Sequence, residues 1–160
     1  MKNSSLLANR FREVLLNGKW IANTNYKELL SAISWQQAAQ QVASLNTISA
    51  ISEHINYYLE GVLNVFEGGN LEIRDQYSFD FPPLQSEEAW IELRARLFAN
   101  AEKFAKNIES FSDEKLEETF VDVKYGTYRR NIEGMIEHCY YHLGQISLLK
   151  KLTHLDKNVK

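Results

Sequence analysis

Residues 136–145 read IEHCYYHLGQ and place two of the chain's four histidines, His138 and His142, four positions apart. Positions i and i+4 of an α-helix are neighbours on one face, with Cβ atoms about 5–6 Å apart, so two imidazoles at this spacing can grip one metal ion. The surrounding pattern is helical from near Thr127 to about Leu152. Stepping each residue by 100° puts Asn131, Ile132, Met135, Ile136, His138, Cys139, His142, Leu143, Ile146 and Leu149 on one side, and Glu133, Glu137, Tyr140, Gly144, Ser147 and Lys151 on the other. Both histidines therefore face the core.

The rest of the chain has the same period. Its two prolines are adjacent, at Pro82 and Pro83, and the long stretches free of Pro and Gly carry apolar residues at three-and-four spacing, which predicts an all-α fold. A first helix is predicted over residues 4–16, with Leu7, Phe11, Val14 and Leu15 on one side and Asn17 and Gly18 as stop signals. KWIANTNYKELLSAI, residues 19–33, reads as a long connection, and Ser34 with Gln37 as a capping box opening a short helix, WQQAAQQ. A second main helix is predicted from Asn46 as N-cap to about Phe66, ended by Gly68 and Gly69. It turns Ile48, Ile51, His54, Ile55, Tyr58, Leu59, Val62, Val65 and Phe66 inward, and Ser49, Glu53, Asn56, Glu60 and Asn64 outward.

Residues 67–85, EGGNLEIRDQYSFDFPPLQ, have no helical period and read as a crossover, a lid, or both. Tyr77, Phe79, Phe81 and Leu84 give this segment more apolar surface than a solvated connection needs, so it is expected to pack on the helices. That packing is either purely structural or forms a wall of the metal pocket. Ser86, Glu87 and Glu88 open a third main helix through about Ser110, with Trp90, Leu93, Leu97, Phe98, Phe104 and Ile108 as its buried stripe. A short helical turn in DEKLEETF precedes the last helix. Four main helices in 160 residues predict a four-helix bundle, one domain over 1–160 with a short basic tail from about residue 153.

Bulk properties narrow the function classes. A hydrophobic fraction of 44% and a charged fraction of 24% are those of a globular protein. Arg10, Arg12 and Glu13 interrupt the apolar residues near the N-terminus, so no signal-peptide core is present, and no apolar run of about 18 residues can span a bilayer. A cytoplasmic location and no membrane partner are expected. Net charge of −3 leaves no footprint for nucleic acid. The single Cys139 fits a reducing compartment and reads as a buried small hydrophobe, because i and i+1 point about 100° apart and so away from a shared ligand position with His138.

His54 faces inward together with His138 and His142, whereas His154, in the tail, reads as a surface residue. Three imidazoles buried without partners would cost several kcal/mol in unmet polar groups, and one divalent ion satisfies a nitrogen of each. One His within NTISAISEHINYY and an H-x-x-x-H pair within GMIEHCYYHLGQI resemble the metal triad of the DinB/YfiT-like superfamily. The resemblance runs from about Leu6 to Leu152 and includes the long crossover between the second and third main helices. It implies an up-down-down-up bundle and His54, His138 and His142 as ligands of one divalent metal ion, zinc, nickel or iron. Characterised relatives include thiol-dependent S-transferases and a mycothiol-dependent isomerase.

Three neutral imidazoles leave open coordination positions for water or a substrate thiolate. The expected activity is a metal-dependent transferase that activates a low-molecular-weight thiol; the alternatives are a metal-dependent hydrolase and a non-catalytic metal-binding or stress-response module. Partners are then a small-molecule thiol or electrophile, with a homodimer also allowed. Tyr58, Asn131 and Gln145 are expected substrate contacts, the last two alternatively orienting a ligand imidazole. Glu53 and Glu137 adjoin histidines but lie on outward faces and read as solvated carboxylates, which leaves no general base. Gly61 and Gly134 interrupt the two His-bearing helices, either to clear room for a substrate or to let helices pack closely.

Overall fold

Seven α-helices form among the described residues, 2–155 of this computed structural model, whose side chains are described as far as Thr153. The long ones are α1 (Asn3–Arg12), which runs on into a π-helical turn at Glu13–Asn17, α4 (Ile48–Phe66), α5 (Glu87–Ser110) and α7 (Tyr128–Leu155). Three short helices, α2 (Tyr26–Ser31), α3 (Trp35–Ala39) and α6 (Asp113–Glu117), lie between them. No strand forms among the described residues beyond one isolated bridge, Thr119 to Thr127. No helix among them is long and apolar enough to cross a membrane.

Side-chain pairs fix the helix directions. Glu53 meets Arg96, Asn56 meets Asn100 and Glu67 meets Lys103, so α4 and α5 advance together. His54 meets His138, whereas Phe66 stacks on Tyr128, so α7 runs against α4. After Phe11 packs on Phe104, the chain meets α5 again through Leu30, whose carbonyl accepts from Arg94, and Ile33, whose carbonyl accepts from the Trp90 indole. It is descending α5. The order is up, down, down, up, and two consecutive parallel helices require the crossover over residues 67–86.

Capping residues set most helix starts. Ser86 accepts from the Ala89 N–H, with Glu87 and Glu88 in the first turn where the helix dipole favours them, and α5 begins where the sequence predicts. α4 begins one residue late, because Thr47 and not Asn46 supplies the cap, to the Ala50 N–H at 3.1 Å. Gly68, at φ +92°, ends α4 in a conformation costly for any residue with a Cβ. The stripe around Phe11, Ile55, Leu59, Trp90, Leu97 and Ile136 joins one core cluster.

Several expectations are corrected. The connection over 19–33 contains α2, capped by Asn25 on the Glu28 N–H and anchored by buried Tyr26, Leu29 and Leu30. Ser34 does cap α3, but Gln37 does not close the box: its amide is buried and donates to the Lys150 carbonyl and Thr153 Oγ1. That contact keeps Thr153 buried, and α7 runs on to Leu155. The His154 side chain and residues 156–160, on which the surface-histidine and basic-tail expectations fall, lie outside the described residues. Ser49 and Asn56, expected outward, are buried, and Asn56 accepts from Asn100, because α5 covers that side of α4.

Candidate metal centre

α4 and α7 bring His54, His138 and His142 together, with His138 Nε2 3.1 Å from His54 Nε2 and 2.9 Å from His142 Nε2. One nitrogen of each ring lies within 4.8 Å of the others, and the three could hold a metal ion. The remaining ring nitrogens decide what this cluster can do. His54 Nδ1 donates to the Ser78 carbonyl oxygen at 3.0 Å, and His142 Nδ1 donates to Gln145 Oε1 at 2.7 Å. With their protons on Nδ1, both rings turn a bare Nε2 lone pair inward. His138 Nε2 carries at most one N–H and can satisfy only one of them.

Three converging nitrogens with at most one proton among them are a donor set for a cation. Neighbouring nitrogens around a tetrahedral zinc, at Zn–N of about 2.0–2.1 Å, lie roughly 3.3 Å apart, close to the two separations found here. Electrostatics agree with that fit. Burial holds all three imidazoles below their ordinary range; His138 is lowered to about 4, first by burial and then by His142 and His54 beside it. The Ser78 carbonyl and Gln145 oppose the shift at His54 and His142 without reversing it. The rings are neutral at pH 7, as ligation requires. Cys139 stays out of the centre: it is fully buried, and burial pushes its thiol up.

The crossover closes one side of the site. Phe79 stacks face to face on His54, with centroids 4.0 Å apart and planes 10° apart. Tyr58 stands edge-on to His54 and His138 and donates its hydroxyl to Asp75 Oδ1 at 2.7 Å; burial, then this bond, push the phenol up to about 12. Tyr57 adds a second clamp, its hydroxyl bonding the Arg74 carbonyl and accepting from the Arg74 N–H. The loop therefore packs on the bundle as expected and walls the histidines through Phe79. Tyr77 does not take part; it is 48% exposed and has no ring contact with the triad. No pattern in the sequence marks the Ser78 carbonyl, since every residue has one.

The chain matches the sequence model of the DinB superfamily over residues 22–146, which includes all three histidines. The chain belongs to the DinB superfamily. No curated protein and no solved structure matches it. For this DinB protein the match starts beyond α1 and ends inside α7, so it covers the His-bearing helices and the crossover that walls them.

A cleft of about 540 Å³ opens beside His138, between α4 with the crossover on one side and α7 with the loop before it on the other. Tyr58 lines it; so does Asn131, whose amide braces the loop by donating to the Tyr125 and Thr127 carbonyls. Gln145 does not line this cleft; its amide oxygen accepts from His142 Nδ1. Glu53 and Glu137 pair with Arg96 and Arg130.

Gln145→Leu should lower metal affinity about 10- to 100-fold by freeing the His142 ring, measured by competition with a chromogenic chelator. The two glycines separate. A Cβ on Gly61 would overlap the Ile73 side chain, so close packing of the crossover explains it, whereas Gly134 faces the cleft with nothing nearer than Arg130 Nη1 at 3.8 Å. Gly134→Ala should stabilise the protein by up to about 1 kcal/mol through helix propensity. Gly61→Ala should destabilise it, since overpacking costs about 1–3 kcal/mol. Urea denaturation of the two variants, shifted in opposite directions, is the check.

Proposed function

We propose that this protein is a metal-dependent enzyme that binds one divalent ion through His54, His138 and His142 and joins a low-molecular-weight thiol to an electrophile. The observation that carries this reading is that His138, whose Nε2 lies beside those of both His54 and His142, lines an open cleft of about 540 Å³. About 540 Å³ is in the range of small-molecule sites. A purely structural zinc would be closed by a fourth protein ligand.

His54, His138 and His142 would hold a divalent ion that, when bound, would lower the pKa of a coordinated thiol or water and so supply a nucleophile at neutral pH. The chain's own residues prepare the place. Ser78 and Gln145 hold the tautomers that turn Nε2 inward. Phe79 covers one face of His54 and keeps water from it. Tyr58, protonated at neutral pH, offers its ring edge to the histidines and keeps its hydroxyl on Asp75.

The test is conjugation of a small thiol to a generic electrophile by protein loaded with zinc or nickel. The expected result is a rate above background that depends on metal, and that Phe79→Ala reduces more than it reduces metal content. Hydrolysis of activated esters or amides without conjugation would transfer the assignment to a hydrolase. Neither activity would leave a metal-binding module.

A further inference from the structure

The cleft beside His138 carries opposite charges on its two walls. Asp75 is on the crossover wall, next to Tyr58, and among the described residues its carboxylate meets no lysine or arginine at ion-pair distance; its side-chain partner is the Tyr58 hydroxyl. The other carboxylate oxygen has no hydrogen-bond partner among the described residues. Lys124 and Arg130 are on the facing wall. Arg130 commits one N–H, from Nη1, to Glu137 at 3.1 Å, and a guanidinium has five. Lys124 Nζ pairs with Asp122 at 3.8 Å, beyond hydrogen-bond length, and lies over the Tyr125 ring at 4.9 Å from its centroid. Both cations keep free donors, and neither bridges to Asp75.

We infer that the cleft binds a small molecule bearing a cationic group and an anionic group, the cation on Asp75 and the anion on Lys124 and Arg130, with its reactive atom at His138. The inference rests on the reading of this cleft as the substrate site and names the substrate's charge pattern. The geometry gives each end a separate anchor. An ammonium on Asp75 gains a charge-assisted hydrogen bond that a neutral amide loses, and a carboxylate suits the planar N–H fork of Arg130. A molecule anchored at both ends across the cleft is held in one orientation, which is how a remote contact contributes to a reaction at the centre.

Titration calorimetry of the zinc-loaded protein separates the claims, with glycylcysteine, its N-acetyl form, its C-terminal amide and glycylserine as probes. Glycylcysteine should bind the wild-type protein about three- to tenfold more tightly than either blocked form, the range for an ion pair in a half-open cleft. Asp75→Asn, which keeps an acceptor for Tyr58, should bring glycylcysteine down to its N-acetyl form and leave the latter unchanged. Lys124→Gln with Arg130→Gln should bring it down to the amide. Unchanged zinc content and circular dichroism confirm that the variants fold. Equal affinity of the three cysteine forms for the wild type overturns the inference, and the thiol reading survives if all three bind better than glycylserine. If glycylserine binds as well as glycylcysteine and the preference for both charges remains, the inference stands and the thiol reading fails. No binding of any probe overturns both.

Discussion

His138→Ala should lose its metal and, with it, any metal-dependent turnover. His138 Nε2 is the neighbour that His54 Nε2 and His142 Nε2 share, and the ring also lines the cleft. Removing it leaves two imidazoles on different helices and no nitrogen between them. The loss of affinity should exceed the roughly 100-fold seen when only an orienting partner of a ligand is removed. Elemental analysis of untagged protein gives the readout, with one divalent ion per chain expected for the wild type and well under a tenth of that after dialysis of the variant. Folding should survive, because His138 stands at the border of the cleft and not in the apolar interior. A full equivalent of metal in His138→Ala, and likewise in His54→Ala and His142→Ala, would remove the triad from consideration.

The residues that were legible in the sequence are those whose side chains repeat with the helix. The stripe of α5 and the i,i+4 pair of α7 declare their faces by azimuth alone, and His54 follows from the stripe of α4. Ser86 with two glutamates is a start signal with a physical cause, and α5 begins there. α2 escaped because six residues are too few to establish a period, although Asn25 three residues before Glu28 was a cap in plain view. At Asn46–Thr47 either residue can cap, and it is Thr47 whose hydroxyl accepts from the Ala50 N–H. Azimuth also cannot say how many neighbours a helix has, so the burial of Ser49 and Asn56 under α5 was hidden.

The candidate centre divides along the same line. Its three nitrogens, and the Gln145 amide that accepts from His142, come from side chains on regular helices, but the groups set against His54 do not. The Ser78 carbonyl, the Phe79 ring face and the Asp75 carboxylate all arrive on the aperiodic crossover, and only the topology puts them against α4. Parallel α4 and α5 need that crossover, and Ile73 against Gly61 keeps it on α4 at the level of the cleft. The same chain segment that solves a connection problem thus builds one wall of the site. A loop of this length placed by rigid helices is where functional groups concentrate in compact domains.

Removing the metal should weaken the fold without undoing it. The core cluster extends through all four long helices and owes nothing to the histidines, so chelation at pH 7.5 should leave helical circular dichroism intact at room temperature. Metal at about 1,000 times its dissociation constant adds about 4 kcal/mol, and each kcal/mol moves the melting temperature of a domain this size by about 2–4 °C. Chelation should therefore lower it by about 8–16 °C. The metal-free protein should then show a pH dependence of known sign. Burial lowers all three imidazoles in the folded state, so between the folded and unfolded values the unfolded chain binds more protons, and stability rises with pH. That stability is fully present above about 6.5, the unfolded value, and is lost as pH falls toward about 4, where His138 takes its proton in the folded protein as well. Metal competes with the same protons, so the gap in melting temperature between loaded and chelated protein should close over this window. Complete unfolding on chelation at pH 7.5 would mean that the ion holds the helices together, and the proposal of a catalytic centre would have to be given up.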